Sequence, residues 1–259
     1  MLSLEQIKTY YPENLMGYER FMLREYLQYK ILEIIFDSNF ATKFAFIGGS
    51  ALRIVHGNER FSEDLDFDNF GLKNDDLIEV SENIKKNLEK EGYQVEAKNV
   101  SRVAFHCYIR FPGLLYDVGL SEKREEKILI RFDTEAQHFD FKPERVLLNK
   151  FDVFTEIMCT PLNIILARKF YSVLNRPRNK GRDFFDIVFL FGKGVVPNYE
   201  FLKLKLGITN GAVLKEHLLV KLGTIDMKEM ASDVQPFLFK SKDEKKVLFF
   251  ERYIAQIKL

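Results

Sequence analysis

The sequence lacks the features of secreted, membrane-spanning and disulfide-stabilised proteins. Its 259 residues include only two cysteines, Cys107 and Cys159, and their apolar or strand-like surroundings favour buried free thiols in a reducing compartment. The amino terminus has no basic start followed by an apolar stretch, and no apolar run is long enough to span a bilayer. We therefore expect a cytoplasmic protein that does not associate with a membrane.

An excess of charge of either sign is also lacking. The 39 basic and 38 acidic residues leave a formal net charge of +1, so any site for a polyanion must arise from local charge asymmetry. The sequence shows no internal repeat and no low-complexity linker. Its hydrophobic content of 46%, which includes 25 phenylalanines, is sufficient for a sizeable core in one large or two modest domains.

The most informative segment begins with four apolar residues, 44–47, which lead into Gly48, Gly49 and Ser50. This order predicts a buried strand, a turn and a helix, an arrangement in which backbone N–H groups meet a phosphate. The glycines let a ligand approach the main chain, and Ser50 can cap the helix or donate its hydroxyl to a phosphate oxygen. A turn without a ligand is the competing interpretation.

Two aspartates follow about one short helix and a turn later, so we expect them on a neighbouring strand. Asp64 and Asp66 alternate with Leu65 and Phe67. In a strand the two carboxylates would project together, with their Cα atoms about 6.5 to 7 Å apart, while Leu65 and Phe67 enter the core. Such carboxylates can converge on one or two Mg²⁺ ions. A solvated strand face is the alternative.

Positive charge is concentrated between residues 168 and 182, where no acid occurs. Pro177 and Gly181 mark a loop that either grips phosphate or is a solvated connection after a helix. Lys169 differs because it lies in an apolar helical stretch. The six basic residues of this segment, called the basic stretch below, are Arg168, Lys169, Arg176, Arg178, Lys180 and Arg182.

The basic stretch runs into Arg182-Asp183-x-x-Asp186. On a helix, Asp183 and Asp186 share a face, the helix dipole favours Asp183 near the start, and Arg182 with Asp186 forms an i, i+4 pair. Structural stabilisation alone can explain these residues. The pattern also leaves open which of the two acids would point at a site.

Three segments together resemble the AbiEii/AbiGii-type toxin family of the DNA polymerase β-like nucleotidyltransferase superfamily. They are residues 48–57 with 60–66, residues 166–169, and residues 182–186. The resemblance extends from about Arg24 to about Phe191. It implies an α+β fold, with a polymerase β-like nucleotidyltransferase core of mixed sheet and helices over residues 1–155. A helical C-terminal domain over residues 156–259 would carry the Lys motif and the Arg-Asp-x-x-Asp motif.

The resemblance also implies roles for individual residues. The implied catalytic residues are Asp64, Asp66, Lys169, Asp183 and Asp186. The implied nucleotide-binding residues are Gly48, Gly49, Ser50, Arg53, Arg60 and Lys169, where Lys169 would neutralise phosphates. For Arg53 and Arg60, ion pairs with Glu59 or Glu63 are the alternative. The implied metal ligands are Asp64, Asp66 and Asp133.

Asp133 enters this set because polymerase β-like sites usually add a third carboxylate from a later strand. It ends the strand-like segment 127–134, and capping of a turn is the alternative role. Relatives tend to carry a further acid two residues earlier, where this chain departs from the pattern with Arg131. Asp117 is a weaker substitute.

By the same resemblance, the expected reaction is Mg²⁺-dependent transfer of a nucleotide from an NTP to an acceptor, with two ions. The expected acceptor is an RNA such as tRNA, and the expected setting is a toxin–antitoxin or phage-abortive system with an antitoxin protein as partner. Two alternatives stay open. One is a small-molecule nucleotidyltransferase of the antibiotic-modifying kind, and the other is a catalytically silent relative that only binds a partner.

The remaining pattern predicts the secondary structure. A helix with an apolar stripe is expected from about Tyr18 to Phe36, and an exposed helix over 75–91. After about residue 155 the pattern becomes helical, with helices starting at Pro161 and Asp183. We expect His56 to have a surface or capping role and His106 to be packed in the sheet. Further strands are expected near 93–99, 102–111, 114–119 and 127–133, and further helices at 212–222, 226–234 and 242–257.

Overall fold

The structure is a computed structural model that describes residues 1–101, 105–136 and 138–259. Residues 102–104, at the start of the strand predicted near 102–111, lie outside the described residues. The chain forms two units. Unit 1 comprises residues 1–56 and 61–160, and unit 2 comprises residues 57–60 and 161–259.

A mixed seven-stranded sheet forms the centre of unit 1, with the strand order β3-β4-β5-β2-β1-β7-β6. The pairs β1–β7 and β2–β5 are parallel, and the other neighbouring pairs are antiparallel. The strands are β1 (Phe44–Ile47), β2 (Leu65–Asn69), β3 (Glu96–Ser101), β4 (Phe105–Phe111), β5 (Ile128–Ala136), β6 (Glu144–Lys150) and β7 (Val153–Cys159).

Five helices accompany this sheet in the described part of unit 1. They are α1 (Leu4–Lys8), α2 (Glu19–Phe36), α3 (Gly48–Ile54), α4 (Asn74–Lys90) and α5 (Leu114–Asp117), with short 3-10 turns at Glu13–Leu15 and Ala41–Lys43. Helix α2 buries Leu23, Leu27, Ile31 and Ile35, which confirms the predicted stripe. All four side chains of β1 are buried as well, so the strand that delivers the glycines is anchored in the core. Together the sheet and helices confirm the predicted α+β fold.

Two predictions for unit 1 are wrong. Residues 114–117 form the short helix α5 and not a strand, because Gly113 turns the chain with a φ of +71° directly before them. Asp117 is therefore an exposed helical residue next to the start of β5, whereas Asp133 lies near that strand's other end. The chain also does not become helical at residue 155, since β7 extends to Cys159.

Unit 2 is helical in the residues described. Its helices are α6 (Leu162–Asn175), α7 (Gly181–Gly192), α8 (Tyr199–Leu206), α9 (Gly211–Leu222), α10 (Met227–Val234), α11 (Lys245–Leu248) and α12 (Phe250–Gln256), with 3-10 turns at Gln235–Phe237 and Ser241–Glu244. The single helix predicted over 242–257 is thus broken into three short pieces. Helix α7 begins at Gly181, where a Cβ would collide with the carbonyl of Met230, so α7 and α10 approach closely there.

Both cysteines are buried free thiols, as predicted. Burial raises the pKa of Cys107 and of Cys159 to about 12, so neither forms a thiolate readily. No helix in the described residues is both long and apolar enough to cross a lipid bilayer.

Candidate active site

The turn from β1 into α3 lies beside the Asp66 carboxylate in unit 1. Ile47 pairs with Asp66 in the antiparallel register of β1 and β2, and Gly48 follows with a φ of +84°. A Cβ on Gly48 would overlap Oδ2 of Asp66 and lie 3.1 Å from its Cγ. Glycine is therefore required both by the backbone conformation and by the close approach of the carboxylate to the main chain.

The alternation predicted around Asp66 is confirmed. Leu65 and Phe67 have exposed fractions of 0% and 2%, whereas Asp64 and Asp66 are partly exposed. Asp64 directly precedes β2, which begins at Leu65. The two carboxylates therefore belong to one strand segment, on the side that is not buried in the core.

Ser50 positions Asp64. Its buried hydroxyl donates to the backbone carbonyl oxygen of Asp64. The predicted capping role is wrong, because Ser50 lies inside α3 and the cap residue of that helix is Ile47, which makes no side-chain capping bond. Donation to a phosphate would require the hydroxyl to leave Asp64, and that contact stays a prediction, as does a role for Gly49.

A third carboxylate lies on the same face of the sheet. The parallel register of β2 and β5 pairs Asp66 with Asp133, and the antiparallel register of β4 and β5 pairs Asp133 with His106. His106 lies in the sheet, as predicted, and its Nδ1 is 2.7 Å from Oδ1 of Asp133, so it is a partner of this carboxylate. Its side chain is 35% exposed.

Arg131 spans two of these carboxylates. Its Nη2 donates to Oδ2 of Asp64 at 2.8 Å, and its Nε lies 2.6 Å from Oδ2 of Asp133. Burial tends to lower the pKa of Arg131, but the charges of Asp64, Asp133 and Asp66 outweigh that effect and raise it. For Asp133, burial raises the pKa more than the neighbouring His106 and Arg131 lower it.

The oxygen donors present fit one divalent cation better than two. Asp64 and Asp66 offer carboxylate oxygens, the ligands that Mg²⁺ prefers. Both oxygens of Asp133 are already engaged, Oδ1 by His106 and Oδ2 by Arg131, whereas Arg131 contacts Asp64 through Oδ2. The described part of the chain contains no group of three or more His, Cys, Asp or Glu side chains arranged to hold a metal ion.

Arg53, expected to bind nucleotide, lies in a buried cluster around Glu25. Its Nε lies 2.7 Å from Oε2 of Glu25, whose Oε1 also accepts hydrogen bonds from Nζ of Lys150 at 2.8 Å and from the Tyr11 hydroxyl at 2.9 Å. Burial would raise the pKa of Glu25, but Arg53 and Lys150 outweigh that effect and lower it. The cluster ties α3 to α2 and β6, which is a structural role.

Asp186 is the centre of a buried charged cluster in unit 2. It accepts hydrogen bonds from Nε and Nη2 of Arg60 at 2.7 and 2.6 Å and from Nδ2 of Asn58 at 2.9 Å. Burial would raise the pKa of Asp186, but Arg60 and Lys169 lower it below its usual range. The Arg60 side chain is only 2% exposed, so contact with a phosphate would require this pair to open.

Lys169 joins Asp186 to Asp183 in the same unit. Its Nζ lies 2.7 Å from Oδ2 of Asp186 and 2.8 Å from Oδ1 of Asp183, while Nη1 of Arg176 donates to Oδ2 of Asp183 at 2.7 Å. Burial tends to lower the pKa of Lys169, but the two carboxylates raise it. Three cations, including Arg60, therefore face two carboxylates, and one positive charge is left over. We call these five side chains the Asp186 cluster.

The rest of the basic stretch has other surroundings. Arg178 and Lys180 are exposed on the connection between α6 and α7. The guanidinium of Arg182 lies 4.5 Å from the centre of the Phe237 ring, a cation–π contact. The basic stretch thus divides into two residues held in the Asp186 cluster, two solvent-facing residues, and two arginines over aromatic rings, Arg182 and Arg168, whose guanidinium lies 5.7 Å from the centre of the Phe201 ring.

The contacts of Asn58, Arg131 and His106 are among those that sequence reasoning missed. It had no signal for Asn58, whose amide donates to Asp186 across 128 positions of the chain. It treated Arg131 as a missing acid and not as a cation that binds the two neighbouring aspartates. The link from His106 to Asp133 depends on strand register, and the alternation of a single strand does not specify which strand it pairs with.

Known structures share this fold. JHP933 of Helicobacter pylori is 16% identical, with a TM-score of 0.54, over 92% of this chain and 93% of that one. A putative nucleotidyltransferase from H. pylori is 16% identical, with a TM-score of 0.51, over 91% of this chain and 94% of that one. MenT4, a nucleotidyltransferase toxin of Mycobacterium tuberculosis H37Rv, is 14% identical, with a TM-score of 0.59, over 100% of this chain and 91% of that one. At such identities the likeness concerns the fold.

A nucleotidyltransferase toxin is thus among the proteins that share this fold. The model of the nucleotidyltransferase AbiEii toxin family, described as belonging to type IV toxin–antitoxin systems, matches residues 30–246. The chain belongs to this family, which confirms the resemblance and the predicted enzyme class. A comparison with curated proteins finds no match.

Proposed function

We propose that the protein transfers a nucleotide from an NTP to an RNA acceptor, with tRNA as the first candidate, in a Mg²⁺-dependent reaction that releases pyrophosphate. The observation that carries this proposal is the Asp66 carboxylate, which lies against the main chain at Gly48 beside Asp64. A carboxylate pair next to a backbone turn can bring a cation and a triphosphate together.

Within unit 1, Asp64 and Asp66 would hold the Mg²⁺. When bound there, the ion would neutralise phosphate charge and stabilise the oxygens of an in-line displacement. Backbone N–H groups at Gly49 and Ser50 would bind phosphate oxygens, a role that needs no side chain. Ser50 would contribute through its hydrogen bond to Asp64, as a positioning residue.

Within unit 2, the Asp186 cluster would neutralise phosphate through its remaining positive charge. Lys169 supports this role because its charge is secured by the raised pKa and its side chain keeps an exposed fraction of 13%. Asp183 and Asp186 would position Lys169. The exposed Arg178 and Lys180 would contact the phosphates of the RNA, since flexible cations on a solvent-facing segment suit a polyanion.

Membership of a toxin family supports an antitoxin protein as partner. A toxin of this kind needs its nucleotide and its RNA in the same compartment. The two buried free thiols are compatible with the reducing cytoplasm, where we place the protein.

The test is transfer by the purified protein from each radiolabelled NTP to total tRNA in the presence of Mg²⁺. We expect labelled RNA with the wild-type protein and at least a roughly hundredfold lower rate for Asp66→Ala, because a charge-stabilising group is lost. Asp243→Ala, at a surface ion pair with Lys246 in unit 2, is the control and should retain activity.

If label appeared on an aminoglycoside but on no RNA, the acceptor would be a small molecule and the proposed RNA acceptor would be wrong. Equal rates for the wild-type protein and Asp66→Ala would overturn the assignment of the aspartate pair.

A further inference from the structure

Arg131 places a permanent positive charge among the carboxylates of unit 1. Its guanidinium contacts Asp64 through Nη2 at 2.8 Å and Asp133 through Nε at 2.6 Å. Arg131 precedes Asp133 by two residues on β5, so both side chains lie on the sheet face that also carries Asp66. The arginine is therefore built into the candidate site and is not a distant surface charge.

The charges that the protein itself contributes to this group balance with one divalent ion. Asp64, Asp66 and Asp133 contribute three negative charges and Arg131 contributes one positive charge, which leaves two negative charges when His106 is neutral. A single divalent cation neutralises the remainder. A second divalent cation would have to displace the guanidinium from Asp133 or be held beside it, where the two positive charges repel.

An arginine can supply this positive charge between the carboxylates at any physiological pH, because it does not lose its proton and presents several donors in a rigid plane. The side chains of Arg131, Asp64 and Asp133 keep exposed fractions of 36%, 33% and 16%. Water and ions can therefore reach the group. The limit on further cations comes from charge and occupied oxygens, and not from a closed cavity.

We propose that Arg131 takes the place of one cation, so that the protein binds a single divalent ion, on Asp64 and Asp66, when its nucleotide is bound. This inference rests on the proposed function and replaces the expected two ions by one. Arg131 would act as a positioning residue that sets the number and place of the ions through Asp64 and Asp133.

The test counts bound Mn²⁺, a paramagnetic substitute for Mg²⁺, by electron paramagnetic resonance during titration of the full-length protein. The titrations are made with nonhydrolysable α,β-methylene analogues of the four NTPs. We expect one Mn²⁺ per chain for the wild-type protein and two for Arg131→Gln, and this pair of ions should give a spin-coupled spectrum. Arg131→Lys keeps the charge and should stay at one.

Arg145→Gln is the matched control, because it removes an exposed arginine from an ion pair with Glu156 on the same sheet. It should bind one Mn²⁺, as the wild-type protein does. Circular dichroism and thermal melting of each variant distinguish a changed ion count from unfolding, and a count of two ions for folded Arg131→Lys would overturn the inference even where Arg131→Gln does not fold.

Two ions bound to the wild-type protein would overturn the role of Arg131 and leave the nucleotidyltransferase reaction standing. One ion bound to folded Arg131→Gln, or two bound to Arg131→Lys, would overturn it as well. If the wild-type protein bound no Mn²⁺ with any analogue and labelled no acceptor, the proposed function itself would fail.

Discussion

Arg60 and Asp186 form a buried two-point ion pair, with Nε and Nη2 of the arginine 2.7 and 2.6 Å from the two carboxylate oxygens. The side chains have exposed fractions of 2% and 0%. Removal of one member leaves the other as a buried charge without its main partner, which is costly in a medium that solvates ions poorly.

Asp186→Asn should therefore destabilise the protein by about 3–5 kcal/mol. Equilibrium unfolding in urea, followed by circular dichroism, measures the change. Glu59→Gln is the control, since Glu59 pairs with Lys240 at the surface of unit 2 with both side chains about half exposed, and should cost less than about 1 kcal/mol. Equal losses for the two variants would show that burial of the Asp186 pair does not matter.

Stability should fall in acid. The folded-state pKa of Asp186 and of Glu25 is lowered, so each carboxylate stabilises the folded state above its unfolded pKa of about 4. That contribution is lost as the pH falls below about 4 and through the lower folded-state values. Urea midpoints at several pH values between 7 and 3 measure the effect. Asp186→Asn should show a shallower decline than the wild-type protein, and parallel declines would contradict the role of Asp186.

Gly48→Ala should reduce nucleotide transfer by about a hundredfold, since displacement of a positioned group by about 1 Å can have that effect. The added Cβ would push the Asp66 carboxylate away from the main chain. Gly71→Ala is the control, because Gly71 follows β2 with a similar φ of +86° but has no atom within 4 Å of an added Cβ. Initial rates with labelled NTP compare the two. Equal losses would assign the effect to backbone strain and not to Asp66.

Removal of Arg178 and Lys180 together should weaken RNA binding and reduce its salt dependence. Each phosphate contact contributes about 0.7 with single strands and about 0.9 with a duplex to the slope of log K against log salt, so the slope should fall by about 1.4 to 1.8. Filter binding of labelled tRNA over a range of salt concentrations measures it. The double change of Lys203 and Lys205 to alanine, at exposed positions of α8, should leave the slope unchanged. An unchanged slope in the first variant would place the RNA elsewhere.

The sequence allowed prediction of those elements whose pattern is local. Helix α2, the buried strand β1 and the alternation around Asp66 follow from periodicity and from the position of glycine. The hairpin of β6 and β7 was missed for two physical reasons. Phe154 is apolar and 67% exposed, which hides the alternation, and the hairpin turns at Phe151 with a φ of +61°, a conformation that turn rules assign to glycine or asparagine.

The partners of the charged residues were harder to predict than the residues themselves. Lys169 and Asp186 were recognised as important, yet Arg182 was expected to pair with Asp186, whose carboxylate is held by Arg60 from 126 positions away. Arg53 was likewise predicted to bind the nucleotide, whereas in the structure its carboxylate partner is Glu25. Such pairings depend on tertiary packing, which no local pattern specifies, and the catalytic roles of these residues stay predictions.

The polypeptide enters unit 2 at residue 57, returns to unit 1 at residue 61 and enters unit 2 again at residue 161. Asn58 and Arg60 thus reach Asp186 from a part of the gene that lies far upstream of the helices they stabilise. A fragment starting at residue 161 would lack both donors. The C-terminal half therefore cannot be expressed alone, or fused to another protein, with its buried charges satisfied. Dissection of this protein into working halves would have to carry that four-residue loop along with the second half.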